Sequence, residues 1–248
     1  MNYKITLAYD GSRYDGWQKQ GNTTQTIQGK LEALLARLEG QEVEVHGAGR
    51  TDAGVHAKGQ VCNCKLNRDW QEKELRDTMN RFLPEDIAVL SVEKVKNRFH
   101  ARLSSTGKTY CYRIHIGTVP NVFERKYVYS HETELSVERM RQAIPYLTGT
   151  HDFKSFCSNR RMKKSTVRTL DSIFIEEMED EIRITYHGNG FLYNMVRILT
   201  GTLIEIGEGK RTPESMTEIL EEKDRQQAGF TAPAQGLILC SVDYEEME

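Results

Sequence analysis

Val43-Glu44-Val45-His46-Gly47-Ala48-Gly49-Arg50-Thr51-Asp52-Ala53-Gly54-Val55-His56-Ala57, followed by Gln60-Val61-Cys62-Asn63-Cys64-Lys65-Leu66, is the stretch whose reading decides the fold. Three glycines, Gly47, Gly49 and Gly54, fall within eight residues. Glycine favours turns and close backbone approaches over repetitive structure, so no regular element runs through the middle. Val43-Glu44-Val45 and Gln60 to Leu66 are β-rich on either side. The segment therefore reads strand, tight loop, strand.

Working outward, Tyr3-Lys4-Ile5-Thr6-Leu7-Ala8-Tyr9 alternates and predicts a strand ended by Asp10-Gly11-Ser12. Arg13-Tyr14-Asp15-Gly16-Trp17-Gln18 is a polar-aromatic loop, with Trp17 packed at the core edge. Ile27, Leu31, Leu34, Leu35 and Leu38 recur at helical spacing, predicting a helix from Thr26 to about Leu38, closed by Gly40. Beyond the two central strands, a second helix is expected from about Asp69 to Phe82, stopped by Leu83-Pro84, and then a strand, Ile87 to Glu93. Strand, helix, strand, strand, helix, strand is the ferredoxin-like split βαβ pattern.

The second half mixes the same elements without a visible sequence repeat. A strand is expected from Phe99 to Ile114, with Tyr110, Tyr112 and Ile114 on one face and Thr109, Cys111 and Arg113 on the other. Tyrosines so spaced pack in a core with their polar tips reaching out. A third helix starts with Ser136 as N-cap and carries Met140, Ala143, Ile144 and Leu147. Gly149-Thr150-His151-Asp152-Phe153 reads as a loop, and His151-Asp152 as turn chemistry rather than a catalytic pair. Strands follow at Ser172–Glu176 and Ile182–His187. A helix follows from Phe191 through Leu199 and another from about Pro213 to Glu222, before a last strand at Leu237-Ile238-Leu239. Tyr193, Asn194 and Arg197 share one helical face. The expected class is α+β, with an N-terminal half at 1–104 that carries the Asp52 loop and a C-terminal half at 105–248.

Composition narrows the function. The 248 residues are 38% hydrophobic and 28% charged, ordinary for a soluble protein. No apolar run approaches the ~20 residues of a membrane span, and Met1-Asn2-Tyr3-Lys4-Ile5 lacks a signal-peptide core. A cytoplasmic location is expected. The net charge of −2 gives no global basic excess, but a local basic face can sit on a neutral protein. Arg160-Arg161-Met162-Lys163-Lys164-Ser165-Thr166-Val167-Arg168 holds five positive charges in nine residues; a solvated loop and a phosphate-contacting face are both open to it. Five scattered cysteines, Cys62, Cys64, Cys111, Cys157 and Cys240, argue against a disulfide framework. Cys62 and Cys64 are too closely spaced for the usual metal pair, and no second pair follows. No Walker loop or G-x-G-x-x-G fingerprint is present, and no cofactor or metal is expected. Asp52 is the one acidic group of the Gly-rich loop. On residue chemistry alone it reads as a turn and cap residue.

Ala48 to Ala57 resembles the signature loop of the tRNA pseudouridine synthase A family. Three further segments are similar to its other motifs: Tyr9-Asp10-Gly11 through Gly16-Trp17-Gln18, Phe99-His100-Ala101-Arg102 with Lys108-Thr109-Tyr110-Cys111-Tyr112, and Gly188-Asn189-Gly190 through Arg197. Pro233-Ala234-Gln235-Gly236-Leu237 resembles a fifth. The resemblance implies two ferredoxin-like halves merged around a mixed, mostly antiparallel sheet, with helices on one side and a central RNA-binding cleft. It implies isomerisation of uridine to pseudouridine at positions 38 to 40 of the tRNA anticodon arm by a homodimer, without a cofactor. By the same token Asp52 is the nucleophile, Arg197 its partner, Tyr110 lies against the target base, Leu237 lines the uracil pocket, and Arg50 helps splay the RNA. It also tips Lys108, Arg160, Arg161, Lys163, Lys164 and Arg168 towards RNA contact. Two other readings are an RNA-binding module without chemistry and a carboxylate-based nucleoside hydrolase. The first is disfavoured by intact Asp52, Tyr110 and Arg197, the second by the lack of a second facing carboxylate.

Overall fold

The computed structural model describes residues 1–159 and 162–245. In chain order they form β1 (Asn2–Tyr9), α1 (Ile27–Glu39), β2 (Val45–Gly47), β3 (His56–Lys65), α2 (Glu72–Phe82), β4 (Ile87–Val95), β5 (Ser105–Ile116) and β6 (Tyr129–His131). There follow α3 (Val137–Leu147), β7 (Gly149–Asp152), β8 (Val167–Glu177), β9 (Glu181–Gly188), α4 (Met195–Gly207), α5 (Ser215–Glu222) and β10 (Leu237–Tyr244). This is the α+β class that the alternation of periods predicts. The chain divides into two compact units: Met1–Thr106 with the last strand from Ile238 on, and Gly107–Leu237.

In the first unit the strand order is β4-β1-β3-β2 with every neighbouring pair antiparallel. The order follows from the split βαβ pattern, in which each helical crossover leaves room for one strand between the two it joins. Along the remaining edge of β3, β2 pairs with Cys62 to Cys64, while β10 runs parallel beside His56 and Ala57. Helix α1 starts where Thr26 accepts the Gly29 N–H, and it ends at Gly40 in the left-handed conformation. Its buried stripe is Ile27, Leu31, Leu34 and Leu35, each worth roughly 1.5–3 kcal/mol of apolar burial. Tyr3, Ile5 and Leu7 of β1 are fully buried.

In the second unit β5-β9-β8-β7 are successive antiparallel neighbours, with β6 parallel to the end of β5. Tyr110, Tyr112 and Ile114 are buried, as their alternation predicts. They are joined by Ile182, Ile184 and Tyr186 of β9 and by an almost wholly buried α4. The Tyr186 hydroxyl meets Thr200 Oγ1 at 2.9 Å, satisfying both buried groups. Helix α3 has Ser136 at its N-cap, accepting the Arg139 N–H.

Four local expectations are corrected. Residues 99–104 are turn rather than strand, because buried side chains take up their backbone groups. Asn2 Nδ2 donates to the Phe99 carbonyl at 3.0 Å, and Asn63 Oδ1 accepts the Ala101 N–H at 2.8 Å. Gly149–Asp152 is the short edge strand β7, drawn into the sheet by pairing with Val167 to Leu170. Helix α4 begins only at Met195, since Asn194 takes a left-handed φ of 62°. The last strand runs on to Tyr244, where the tyrosine hydroxyl donates to the Ala101 carbonyl at 2.7 Å.

Candidate active site

The Gly-rich loop of the first unit is held from two sides, and its ends enter the sheet. His46 and Gly47 belong to β2, and His56 and Ala57 to β3, so the free loop is shorter than the glycine pattern predicts. Between them Asp52 is half-buried, and its carbonyl accepts the Val55 N–H at 3.1 Å to close a turn. The preceding residue is fastened twice. Thr51 O accepts the Trp17 N–H at 3.0 Å, and Thr51 Oγ1 lies 2.8 Å from the Tyr9 hydroxyl. Gln60 Nε2 donates to the Gly49 carbonyl at 3.1 Å and reaches the Tyr9 oxygen at 3.5 Å. Burial pushes the Tyr9 phenol up to about 12, offset in part by its bonds to Thr51 and Gln60. The phenol is therefore protonated, and accepting from Gln60 leaves its hydrogen for Thr51.

Two glycines make this closeness possible. Gly16 has φ +97°, and a Cβ there would stand 2.7 Å from the Thr51 carbonyl oxygen. A Cβ at Gly47 would stand 2.5 Å from the Trp17 ring. Trp17 is buried, as the sequence implies, and it forms a wall of the loop. Arg50 is exposed and directed by a 3.0 Å bond from its Nε to Gln18 Oε1.

Tyr110, Arg197 and Leu237 belong to the second unit. Tyr110 is buried with 7% of its surface exposed, and the Phe191 ring meets it edge-on at 5.1 Å between centroids. That contact fixes the ring plane. Arg197 leaves the first turn of α4 with two donors committed, Nε to the Ala232 carbonyl at 2.7 Å and Nη1 to Asn194 Oδ1 at 2.9 Å. Asn194 and Arg197 do pair as the spacing suggests. Asn194 sits just outside the helix, and Tyr193 points to solvent. The Ala232 N–H returns a bond to Arg197 O at 3.0 Å. One residue on, the Tyr112 hydroxyl donates to the Pro233 carbonyl at 2.7 Å. Burial raises the Tyr112 phenol well above its usual range, and the Arg197 charge partly opposes this. Arg197 and Tyr112 thus tether the segment leading into Leu237, itself buried. Gln18, Asn194 and Phe191 are supporting residues that the sequence reading did not assign; only the three-residue spacing of Asn194 and Arg197 offered a signal.

The basic side chains are also in the second unit. Lys163 and Lys164 are exposed and, with Lys154 and Asp152, border a cleft of about 390 Å³. Arg168 Nη1 donates to the Ser165 and Val167 carbonyls at 2.9 and 2.6 Å. Lys108 is half-buried opposite Gly188. Arg160 and Arg161 lie outside the described residues. Asp152 is occupied structurally, accepting from Thr166 Oγ1 at 2.5 Å and pairing with Lys223 at 3.1 Å. Among the described residues no group of three or more His, Cys, Asp or Glu is placed to hold a metal, and no helix is long and apolar enough to cross a membrane. Cys62 and Cys64 are buried thiols. Burial pushes Cys62 well up and Cys64 to about 12, which makes them poor nucleophiles.

Comparison with known proteins matches these segments as a set. The sequence profile of a family described as tRNA pseudouridine synthase matches residues 5–103 and 143–245. A tRNA pseudouridine synthase A of Bacillus sp. (strain KSM-64) is 46% identical over 98% of this chain and 99% of its own length. A tRNA pseudouridine synthase A 2 of Clostridium perfringens is 44% identical with the same coverage. A tRNA pseudouridine synthase A 1 of Bacillus cereus is 46% identical over 97% of this chain and 98% of its own. A solved structure titled as a Cbf5-Nop10-Gar1 complex aligns with 97% of this chain and 50% of that one, at 14% identity and a TM-score of 0.41. The braced Asp52 loop and the tethered Arg197 and Leu237 all lie in segments spanned by the profile, and the chain belongs to the tRNA pseudouridine synthase family.

Proposed function

We propose that this chain converts uridine to pseudouridine at positions 38 to 40 of the tRNA anticodon stem-loop, with Asp52 as the nucleophile. Membership of the family makes it an isomerase acting on tRNA. The observation that carries the residue assignment is the Asp52 loop itself. It holds a half-buried carboxylate on a turn fastened at Gly49, Thr51 and Gly54, as a group that must meet a bulky substrate in one geometry requires.

In this reading the N1–C1′ bond of the nucleotide breaks, the uracil turns, and C5 joins C1′. The C5 proton goes to solvent and N1 gains one, so the reaction balances without redox or nucleotide energy. Asp52 attacks as the carboxylate, with Arg197 the partner that the family resemblance assigns to it. A paired uridine must leave its stack before reaction. Arg50 assists that step, Tyr110 stacks on the extruded uracil and helps take the C5 proton, and Leu237 lines the pocket. Lys108, Arg160, Arg161, Lys163, Lys164 and Arg168 contact the phosphate backbone. The working form is a cytoplasmic homodimer that uses no cofactor.

The test uses tRNA transcripts tritiated at uracil C5, with wild type and Asp52→Asn. Tritium released to water without free uracil, and lost in the variant, is the expected result. Release persisting in Asp52→Asn rejects the nucleophile. Free uracil indicates a hydrolase, and binding without release indicates an RNA-binding module.

A further inference from the structure

The Arg50 guanidinium is aimed by a chain of two amides whose orientation the backbone dictates. Gln28, on α1, is buried and makes four hydrogen bonds. Its Oε1 accepts the Lys19 N–H at 2.9 Å and Gln18 Nε2 at 2.7 Å. Its Nε2 donates to the Val45 carbonyl and to Glu32 Oε1, each at 3.0 Å. A backbone N–H only donates and a carbonyl only accepts, so the Gln28 amide has one permitted orientation. Glu32 is fixed as well, since its Oε1 also accepts the Val45 N–H at 3.2 Å. The Gln28 oxygen then forces the NH₂ of Gln18 towards itself. That turns Gln18 Oε1 outward to accept Arg50 Nε at 3.0 Å. A flipped Gln18 would set two acceptors face to face at Gln28 and two donors face to face at Arg50.

We infer that Gln18 and Gln28 are positioning residues for Arg50, holding its guanidinium in one direction against Gln18 before RNA arrives. An arginine carries large rotamer entropy, and pre-orienting it removes that cost from the step it serves. Arg50 is two residues from Asp52 and exposed, whereas the anchors Gln28 and Val45 are buried. The relay thus links an exposed cation to the rigid helix–strand frame. The inference rests on the reading that Arg50 engages the RNA near the target uridine.

The experiment is a double-mutant cycle on tritium release from C5-labelled tRNA, using Gln18→Met, Arg50→Met and the pair. Methionine matches the length of glutamine and keeps its stem while removing the acceptor. Arg50→Met is expected to lower kcat about 100-fold and Gln18→Met about 10-fold, with KM for tRNA changing less than about 3-fold. The double variant is expected to match Arg50→Met alone, because Gln18 acts only through Arg50. Multiplying effects, or full kcat in Gln18→Met beside an impaired Arg50→Met, overturns the positioning role. Full activity in Arg50→Met overturns the reading beneath it, and the positioning role with it.

Discussion

The Tyr9 hydroxyl stands 2.8 Å from Thr51 Oγ1, so a residue at the end of the first strand fastens the residue next to Asp52. Both groups are buried, and neither has water to fall back on. Tyr9→Phe is expected to cost about 1 kcal/mol of stability. It is also expected to lower kcat about 10-fold with little change in KM, since the loop keeps its RNA contacts and loses its rigidity. Denaturant unfolding and C5 tritium release on the same preparation check both halves.

Asn194 allows backbone and side-chain roles to be separated. Its φ of 62° suits glycine, and its amide oxygen accepts from Arg197 at 2.9 Å. Asn194→Gly keeps that backbone but loses this bond and the one from Asn194 Nδ2 to Ser158 Oγ at 3.0 Å; it is expected to lower the melting temperature by about 2–4 °C and kcat about 10-fold. Asn194→Ala adds about 1 kcal/mol of destabilisation from the left-handed backbone. Equal activity in wild type and Asn194→Gly removes the role assigned to this bond.

Tyr110→Phe keeps the ring against Phe191 and removes only the phenol oxygen. The expected outcome is unchanged tRNA binding with kcat reduced about 100-fold, the size of a lost general base. A variant as active as wild type confines Tyr110 to stacking.

Acid stability turns on Glu181. Burial alone would raise its carboxyl, but hydrogen bonds and charge from Arg113 and Arg183 prevail and bring it to about 2. Arg113 meets it through two bonds of 2.7 Å. The folded value lies below the ordinary carboxyl value of 4.5, so this contribution is complete above that pH and lost as pH falls towards 2. Glu181→Gln is expected to flatten the melting-temperature curve between those values. Arg113→Met is expected to cost about 2 kcal/mol at neutral pH.

Lys163 and Lys164 are exposed beside the cleft that Lys154 borders. Replacing both with alanine is expected to raise KM for tRNA at unchanged kcat. It should also reduce the slope of log affinity against log salt by about 1.4 to 1.8, the share of two phosphates. An unchanged slope assigns the pair to solvent.

Elements with long periodic faces were legible in the sequence. Ile27 to Leu35 showed α1, Tyr110 to Ile114 showed β5, and Thr26 and Ser136 marked helix starts by their capping chemistry. Strands β6 and β7 were not, because three or four residues carry no period and exist through their partners. The late start of α4 was hidden by the apolar run Phe191-Leu192, which fits a helix until Asn194 turns the backbone. The Asp52 loop was visible through its glycines and its resemblance to a known motif. Its supports were not, because the bond from Arg50 to Gln18 spans 32 positions and leaves no local pattern.

The parallel placement of β10 beside His56 and Ala57 separates the order of synthesis from the order of folding. Met1 to Thr106 emerge from the ribosome early, yet the part of the β3 edge at His56 and Ala57, beyond β2, is paired by a strand that follows all of Gly107–Leu237. Until then that edge offers unpaired backbone groups to other chains. A chain interrupted before Ile238 therefore lacks the parallel strand beside the Asp52 loop, an incomplete catalytic frame rather than a smaller working enzyme.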